Sequence, residues 1–163
     1  LEEARMIREV RRDDADTALD AAEACGLFSP EELIVLLDQL EKTITGASER
    51  RGFWLADFDD AGVADGVAFC AEELMTDRVW NLLFIGVRKA RQGTGIGSRL
   101  LEATVERLRF DVQRMLIVDT ADDDSFEGAR SFYRHHGFRD EGIIRDFYAD
   151  GTNKITFAKP LFD

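Results

Sequence analysis

The stretch Val87-Arg88-Lys89-Ala90-Arg91-Gln92-Gly93-Thr94-Gly95-Ile96-Gly97-Ser98 constrains this chain more than any other. It follows the longest apolar run, Leu82–Val87, which suits a strand buried on both faces. It opens a segment in which Leu101, Val105 and Leu108 share a helical stripe, with Ile96 and Leu100 beside it. Glycine costs about 1 kcal/mol relative to alanine in a helix. Three glycines at alternate positions where a helix begins therefore point to more than turn geometry. Glycine lets backbone N–H groups approach an anion closely, and a helix N-terminus adds free donors and a favourable dipole. Arg88, Lys89 and Arg91 also reverse the sign of a chain with 33 acidic and 21 basic residues. The stretch reads as a strand–loop–helix that holds a phosphate or pyrophosphate.

The net charge of −12 excludes the basic footprint of a nucleic-acid binder and favours amine-bearing partners. At 163 residues and 45% hydrophobic, the chain is long enough for one core and too apolar for global disorder. Residues 6–163 are expected to form a single domain, with 1–5 a flexible terminus or cloning remnant. The longest apolar run is far short of the ~20 residues of a spanning helix, and the N-terminus lacks a signal-peptide pattern, so a cytoplasmic location is expected. Cys25 and Cys70 have no CxxC spacing and read as buried thiols. Asp122-Asp123-Asp124 has no spaced partner ligands and reads as a solvated acidic loop, so no metal is expected. His135 and His136 are adjacent on a helix, face different directions and are expected at the surface.

Periodicity and turn signals give an α/β order. A first strand (6–12) precedes a helix (15–24). A second helix starts at Ser29-Pro30-Glu31-Glu32, carries Leu33, Leu37, Leu40 and Ile44 on one face and ends at Gly46. Strands follow at 52–58, 63–70 and 78–87, then a helix (95–110), a strand (115–120) and a helix (127–136). Strands 138–148 and 154–161 flank Asp150-Gly151, a hairpin signal. The chain thus combines a hairpin half with a βαβ half.

Three phosphate-loop patterns compete. No Gly-Lys-Ser/Thr triplet exists, which removes a P-loop. A dinucleotide loop, G-x-G-x-x-G directly after its strand, fits Gly93 and Gly95, with Asp119 as the ribose acid. Its third position, however, is Ser98, and residues 88–92 intervene after Val87. The third pattern fits best. Gln92-x-x-Gly95-x-Gly97 resembles the Q/R-x-x-G-x-G/A motif of the GNAT N-acetyltransferase superfamily. Downstream, Ala129-Arg130-Ser131-Phe132-Tyr133 followed by Gly137-Phe138 resembles that family's A-x-x-F-Y…G-F segment. The resemblance covers roughly residues 52–161.

The resemblance implies a mixed, mostly antiparallel sheet with a splayed central parallel strand pair and about four helices. Acetyl-coenzyme A would lie in the splay, with backbone contacts at Ile85 and Val87. Its pyrophosphate would sit on amides of Gln92, Gly93, Thr94, Gly95, Ile96, Gly97 and Ser98. Phe126 stands where many members carry an Asn that touches coenzyme A, which implies apolar packing there. The implied reaction is direct attack of a neutral amine on the thioester, with Tyr133 at the family's general-acid position. Asp119 corresponds to a position where some members carry a catalytic acid, with Glu72 and Glu73 as alternatives. Asn81 lies where others carry a strand glutamate. Candidate acceptor-wall residues are Phe28, Trp54, Glu72, Arg145, Asp146 and Tyr148. Arg145 would suit a substrate carboxylate and Asp146 an ammonium, against a simple Arg–Asp surface pair. The expected acceptor is a primary amine of a small molecule (amino acid, polyamine or amino-sugar), with a protein amine second. Neither nucleic acid nor membrane is an expected partner, and the resemblance implies a homodimer, since apolar sheet edges in that family often pair. The rival functions are a non-catalytic coenzyme-A-binding sensor and a dinucleotide-binding domain.

Overall fold

The computed structural model describes residues 4–163. Its elements run β1 (Met6–Glu9), α1 (Ala15–Ala24), α2 (Pro30–Thr45), β2 (Gly52–Phe58), β3 (Ala64–Glu72), β4 (Val79–Val87), α3 (Ile96–Phe110), β5 (Met115–Ala121), α4 (Glu127–His135), β6 (Arg139–Ala149) and β7 (Thr152–Pro160). The order matches the sequence reading. The first strand is shorter than expected because a 3₁₀ turn begins at Arg12.

One seven-stranded sheet runs β1-β2-β3-β4-β5-β7-β6. The β4–β5 pair is parallel and every other pair antiparallel. A doubly wound dinucleotide-binding sheet is mostly parallel, so this topology sets that rival aside. Strand alternation builds a core on each face. Phe53 and Leu55 of β2 point to the α3 side, where Leu100, Leu101 and Leu108 are buried. Trp54, Ala56 and Phe58 point to α1 and α2. Each fully buried leucine contributes about 1.5–3 kcal/mol of apolar burial. Gly66 lets α3 lie against β3, since a Cβ there would stand 2.7 Å from Ile96 Cγ2.

Helix ends follow their signals. Ser29 Oγ accepts from Glu32 N at 3.2 Å, while Glu32 Oε2 accepts from Ser29 N at 2.7 Å, a reciprocal capping box. Gly46, left-handed at φ 74°, closes α2 by donating to the Lys42 and Thr43 carbonyls.

The feature that positions the site is a fork. β4 and β5 pair only at Val79↔Met115, Trp80↔Leu116 and Asn81↔Ile117. Beyond that, β5 stays paired with β7 along Met115–Ala121, while β4 stays with β3. The β3–β4 register passes from Cys70↔Leu82 to Phe69↔Phe84, so Leu83 is an extra, bulged residue. The apolar run Leu82–Val87 is therefore not buried on both faces. Leu83 is exposed and Ile85 half-buried, because the strand that would cover them has diverged. Among the described residues no helix is long and apolar enough to cross a membrane.

Arg5 belongs to the segment expected to have no part in the fold, yet it bonds Asp57 and Asp65 (2.5 and 2.9 Å). Residues 1–3 of that segment lie outside the described residues. Cys25 and Cys70 are buried free thiols, as expected. The acidic triplet is not simply solvated: Asp122 accepts from Asn153 N and Nδ2 (2.8 and 2.7 Å) and ties β5 to β7. His136 is half-buried rather than fully exposed, packed edge-on to Phe132 at 4.7 Å.

Candidate active site

The fork opens into a cleft of about 560 Å³. Its walls come from β4 (Leu82–Ile85), β5 and the turn after it, α4, the α1–α2 turn with Leu27 and Phe28, and the β6–β7 hairpin with Tyr148 and Thr152. The glycine loop follows the end of β4, beyond the residues that line the cleft. Gly93 and Gly95 adopt φ 77° and 87°, the left-handed region that only glycine enters cheaply. Among the described residues, the N–H groups of Gly93, Thr94 and Gly95 donate to no backbone acceptor. The first-turn amides of α3 also lack intrahelical partners by geometry. The result is a cradle of donors, an anion site made of backbone.

The side chains of the loop serve the loop itself. Gln92 Nε2 donates to the Val87 carbonyl at 3.0 Å, and Thr94 Oγ1 donates to the Arg91 carbonyl at 2.5 Å. Ile96 is 1% exposed and belongs to the core. Ser98 Oγ and His136 Nε2 share a hydrogen bond of 3.1 Å, which joins α3 to the end of α4. Burial, the largest influence, holds the His136 imidazole below its ordinary pKa. Arg88 and Arg91, part of the basic run read as supporting an anion site, face Asp65 at 3.3 and 3.4 Å. Arg99 pairs with Asp57 at 3.0 Å, and Arg5 bridges the two carboxylates. Asp57 is fully buried, and this lattice fastens the loop and α3 to the β2–β3 hairpin.

Tyr133 is a core aromatic that also reaches the cleft. It is 5% exposed and packs on Phe138 and Phe157 at 5.5 and 6.1 Å, yet it also lines the cleft. Its hydroxyl takes no hydrogen bond from the described residues. Burial raises the phenol above its ordinary value, so it stays protonated and able to donate. Asp119 also lines the cleft. Its Oδ1 accepts from Thr156 Oγ1 at 2.6 Å, and Lys154 Nζ stands 3.8 Å from its Oδ2. Phe126, the N-cap residue of α4, lines the cleft where the family pattern has Asn. Next to it the buried Arg130 Nη1 donates to the Ala121 and Asp123 carbonyls, both at 2.9 Å, and fixes the end of β5.

Several sequence candidates lie elsewhere. Glu72 is bound to Arg51 through its backbone N–H (3.0 Å) and Nε (2.8 Å), contacts that hold its carboxyl below the ordinary range. It pairs across from Trp80, at the closed base of the fork, and does not line the cleft. Glu73 is taken by Arg50 and by Asn81 Nδ2, at 3.1 and 2.8 Å. Trp54 is core, stacked on Phe69 at 4.6 Å. Asp146 builds the hairpin. It sits at φ 54°, accepts from Gly151 N at 2.8 Å and donates its own N–H to Asn153 Oδ1 at 2.9 Å. Arg145 is exposed beside it, outside the cleft lining and not in the expected surface pair. Phe28 and Tyr148 do line the cleft. Sequence reasoning missed Leu27, Glu32, Leu83 and Asp123. Glu32 was legible only as a cap, and the Leu83 bulge has no local signal.

A family model described as an acetyltransferase (GNAT) domain matches residues 49–140. A solved GNAT-family protein from Desulfovibrio desulfuricans is 26% identical over 98% of this chain and 100% of its own, with a TM-score of 0.90. At 19% identity, the ribosomal-protein-S18-alanine N-acetyltransferase from Escherichia coli shares the fold, with a TM-score of 0.77 over 98% of this chain and 96% of that one. An aminoglycoside 6'-N-acetyltransferase complexed with coenzyme A does so at 14% identity, with a TM-score of 0.76 over 97% and 98%. No curated protein sequence matches significantly. With its forked sheet and glycine cradle, the chain belongs to the GNAT family and is an acyltransferase.

Proposed function

We propose that the protein transfers an acetyl group from acetyl-coenzyme A to a primary amine of a small molecule, and that residues 6–163 act as one catalytic domain. The observation that carries this reading is the fork itself, which has unpaired strand edges on two sides, a donor cradle on the loop that follows β4 and Tyr133 in its wall. The residues fit the cofactor. The amides from Gly93 to Ser98 suit its pyrophosphate, and the free edge of β4 at Ile85 suits the amides of its pantetheine arm. Bound there, acetyl-coenzyme A supplies an activated acetyl thioester. The chain's own groups do the rest. A backbone N–H on the Ile85–Val87 edge polarises the carbonyl. Tyr133 donates a proton to the departing sulfur. Asp119, or water ordered by it, takes the proton from the attacking ammonium.

The test is thermal unfolding with saturating acetyl-coenzyme A, NAD or ATP, each alone, followed by thiol release with an amine panel. A ligand at a hundred times its dissociation constant adds about 2.7 kcal/mol. The midpoint should rise by roughly 5–10 °C with acetyl-coenzyme A only. A rise with NAD alone defeats the reading. Binding without turnover on any amine favours the sensor function.

A further inference from the structure

The charge in the cleft is one-sided. Glu32, Asp119 and Asp123 line it, and among the described residues no lysine, arginine or histidine does. Lys154, outside the lining, stands over the Phe147 ring at 4.0 Å with its Nζ 3.8 Å from Asp119 Oδ2. Arg145, the sequence candidate for a substrate carboxylate, stands outside. A free amino acid carries its carboxylate one carbon from the amine. Here that anion would sit among three carboxylates whose neighbouring cation, Lys154, lies outside the lining and is already engaged by Asp119, and like charges at an interface cost several kcal/mol.

The walls are equally informative. The end of the cleft near Phe126, Ala129 and Tyr133 is where the pantetheine arm belongs in the reading above. The remaining lining includes Leu27, Phe28, Leu83, Phe84 and Tyr148 around Asp119 and Glu32. Phe28 meets Phe84 edge-to-face at 4.8 Å, so the α1–α2 turn and β4 form one continuous aromatic wall. Leu83 reaches the cleft only because of the β4 bulge. Tyr148 comes from a strand segment where the β6–β7 register jumps from Ile144↔Lys154 to Ala149↔Thr152. Thr120, Ser125 and Thr152 also line the cleft, but the walls are mainly apolar, so a polyhydroxylated amine would leave many of its hydroxyls unpaired, and each unmade bond carries a desolvation cost. A flat apolar body gains from them, and its ammonium gains from both the aromatic faces and the carboxylates. The volume of about 560 Å³ is shared with the pantetheine arm, which limits the acceptor to a small molecule.

We propose that the acceptor is a carboxylate-free primary monoamine on an aromatic body, an arylalkylamine in class, with its ammonium drawn in by Asp119 and Glu32 and its ring held by Phe28, Leu83, Phe84 and Tyr148. This rests on the acetyl-transfer reading above. The amine nitrogen loses one proton to Asp119 or water and forms a bond to the acetyl carbon as the carbon–sulfur bond breaks. The nitrogen then sheds its second proton to solvent. The thiolate takes a proton from Tyr133, which solvent restores, and the products are the N-acetylamine and the free thiol.

The experiment uses a matched pair. 2-Phenylethylamine and phenylalanine share a ring and an amine and differ in the carboxylate. Spermidine, kanamycin and a short peptide with N-terminal phenylalanine complete the panel. Calorimetry with acetyl-coenzyme A comes first. With binding established, kcat/KM for 2-phenylethylamine should exceed that for phenylalanine by at least about 100-fold and exceed the other three as well. Leu27→Arg, at an exposed position on the cleft wall, places a cation there. It should narrow the matched ratio by about tenfold, through the KM of phenylalanine. The proposal is overturned if cofactor binds and another panel member wins, or if no arylalkylamine turns over. A ratio unmoved in a folded Leu27→Arg variant overturns it too. Should that variant not fold, the wild-type pair decides. Absence of cofactor binding overturns the acetyl-transfer reading itself, which the calorimetry tells apart.

Discussion

The two sides of the cleft are built from different materials. On the cofactor side, the ligand-facing groups are backbone amides, held by glycines at positive φ and by a lattice in which Asp57 and Asp65 fix Arg5, Arg88, Arg91 and Arg99. On the acceptor side, the facing groups are side chains from a helix–helix turn and from β6, a strand exposed along its whole length. Backbone geometry restricts which residues can stand at a position, whereas a side-chain wall accepts many. Under the proposed function, one side would fix the reaction and the other select the substrate.

The largest expected effect tests where the chemistry lies between them. Tyr133→Phe keeps the packing on Phe138 and Phe157 and removes the donor, so kcat should fall about 10²–10³-fold with acetyl-coenzyme A affinity unchanged. Because burial raises the phenol, its acid form persists through neutral and mildly alkaline pH. Any loss of kcat that belongs to Tyr133 should begin only above pH ~10, the ordinary phenol value. A basic limb near pH 8 that disappears in Tyr133→Phe contradicts that assignment.

Next is the lattice. Asp57 is fully buried between Arg5 and Arg99, and Asp57→Asn removes the anion facing Arg99 and one of the two carboxylates that Arg5 bridges. Breaking a buried pair costs about 3–5 kcal/mol. Arg99 is partly exposed and can rehydrate, so a loss near the lower figure is expected, read by urea unfolding. The rise in KM should fall on acetyl-coenzyme A rather than on the amine. Equal rises would mean that the lattice supports the whole cleft and not one side.

Gly95→Ala isolates the loop. Its Cβ would meet only Arg99 Nη1 at 3.7 Å, so the cost is conformational: φ 87° in an L-residue, about 1–2 kcal/mol. A KM increase of roughly tenfold for acetyl-coenzyme A, with less change in stability than Asp57→Asn gives, is the expected pattern.

This difference in materials also explains what was legible in the sequence. The glycines of the loop and the Ala129–Phe138 block stood out because a left-handed turn, a helix start and a close backbone approach each admit few residues. Element order followed from periodicity for the same reason. The acceptor wall was mostly misread. Trp54 belongs to the core because strand alternation sends it to the α1–α2 face. Glu72 and Asp146 are spent on local partners that lie far away in sequence or in a register shift. Leu83 reaches the cleft through a bulge that no run of apolar residues announces. Arg88 and Arg91 belong to a basic run read as favouring an anion, and the fold sets Asp65 beside both, an ion pair across sequence that no local pattern encodes.

The smallest effect probes the acceptor side alone. Ser29 caps α2, and the cap holds the turn that presents Leu27 and Phe28 while locking one oxygen of Glu32. Ser29→Ala removes the acceptor of the Glu32 N–H and should cost about 1 kcal/mol, or roughly 3 °C. The same change loosens the Phe28–Phe84 wall, so the amine KM should rise roughly twofold while the acetyl-coenzyme A KM stays put. Ser29→Asp, an equally good cap, should restore both stability and amine KM. If Ser29→Ala raises both Michaelis constants together, the α1–α2 turn supports the cofactor as well, and the two sides of the cleft are not separable.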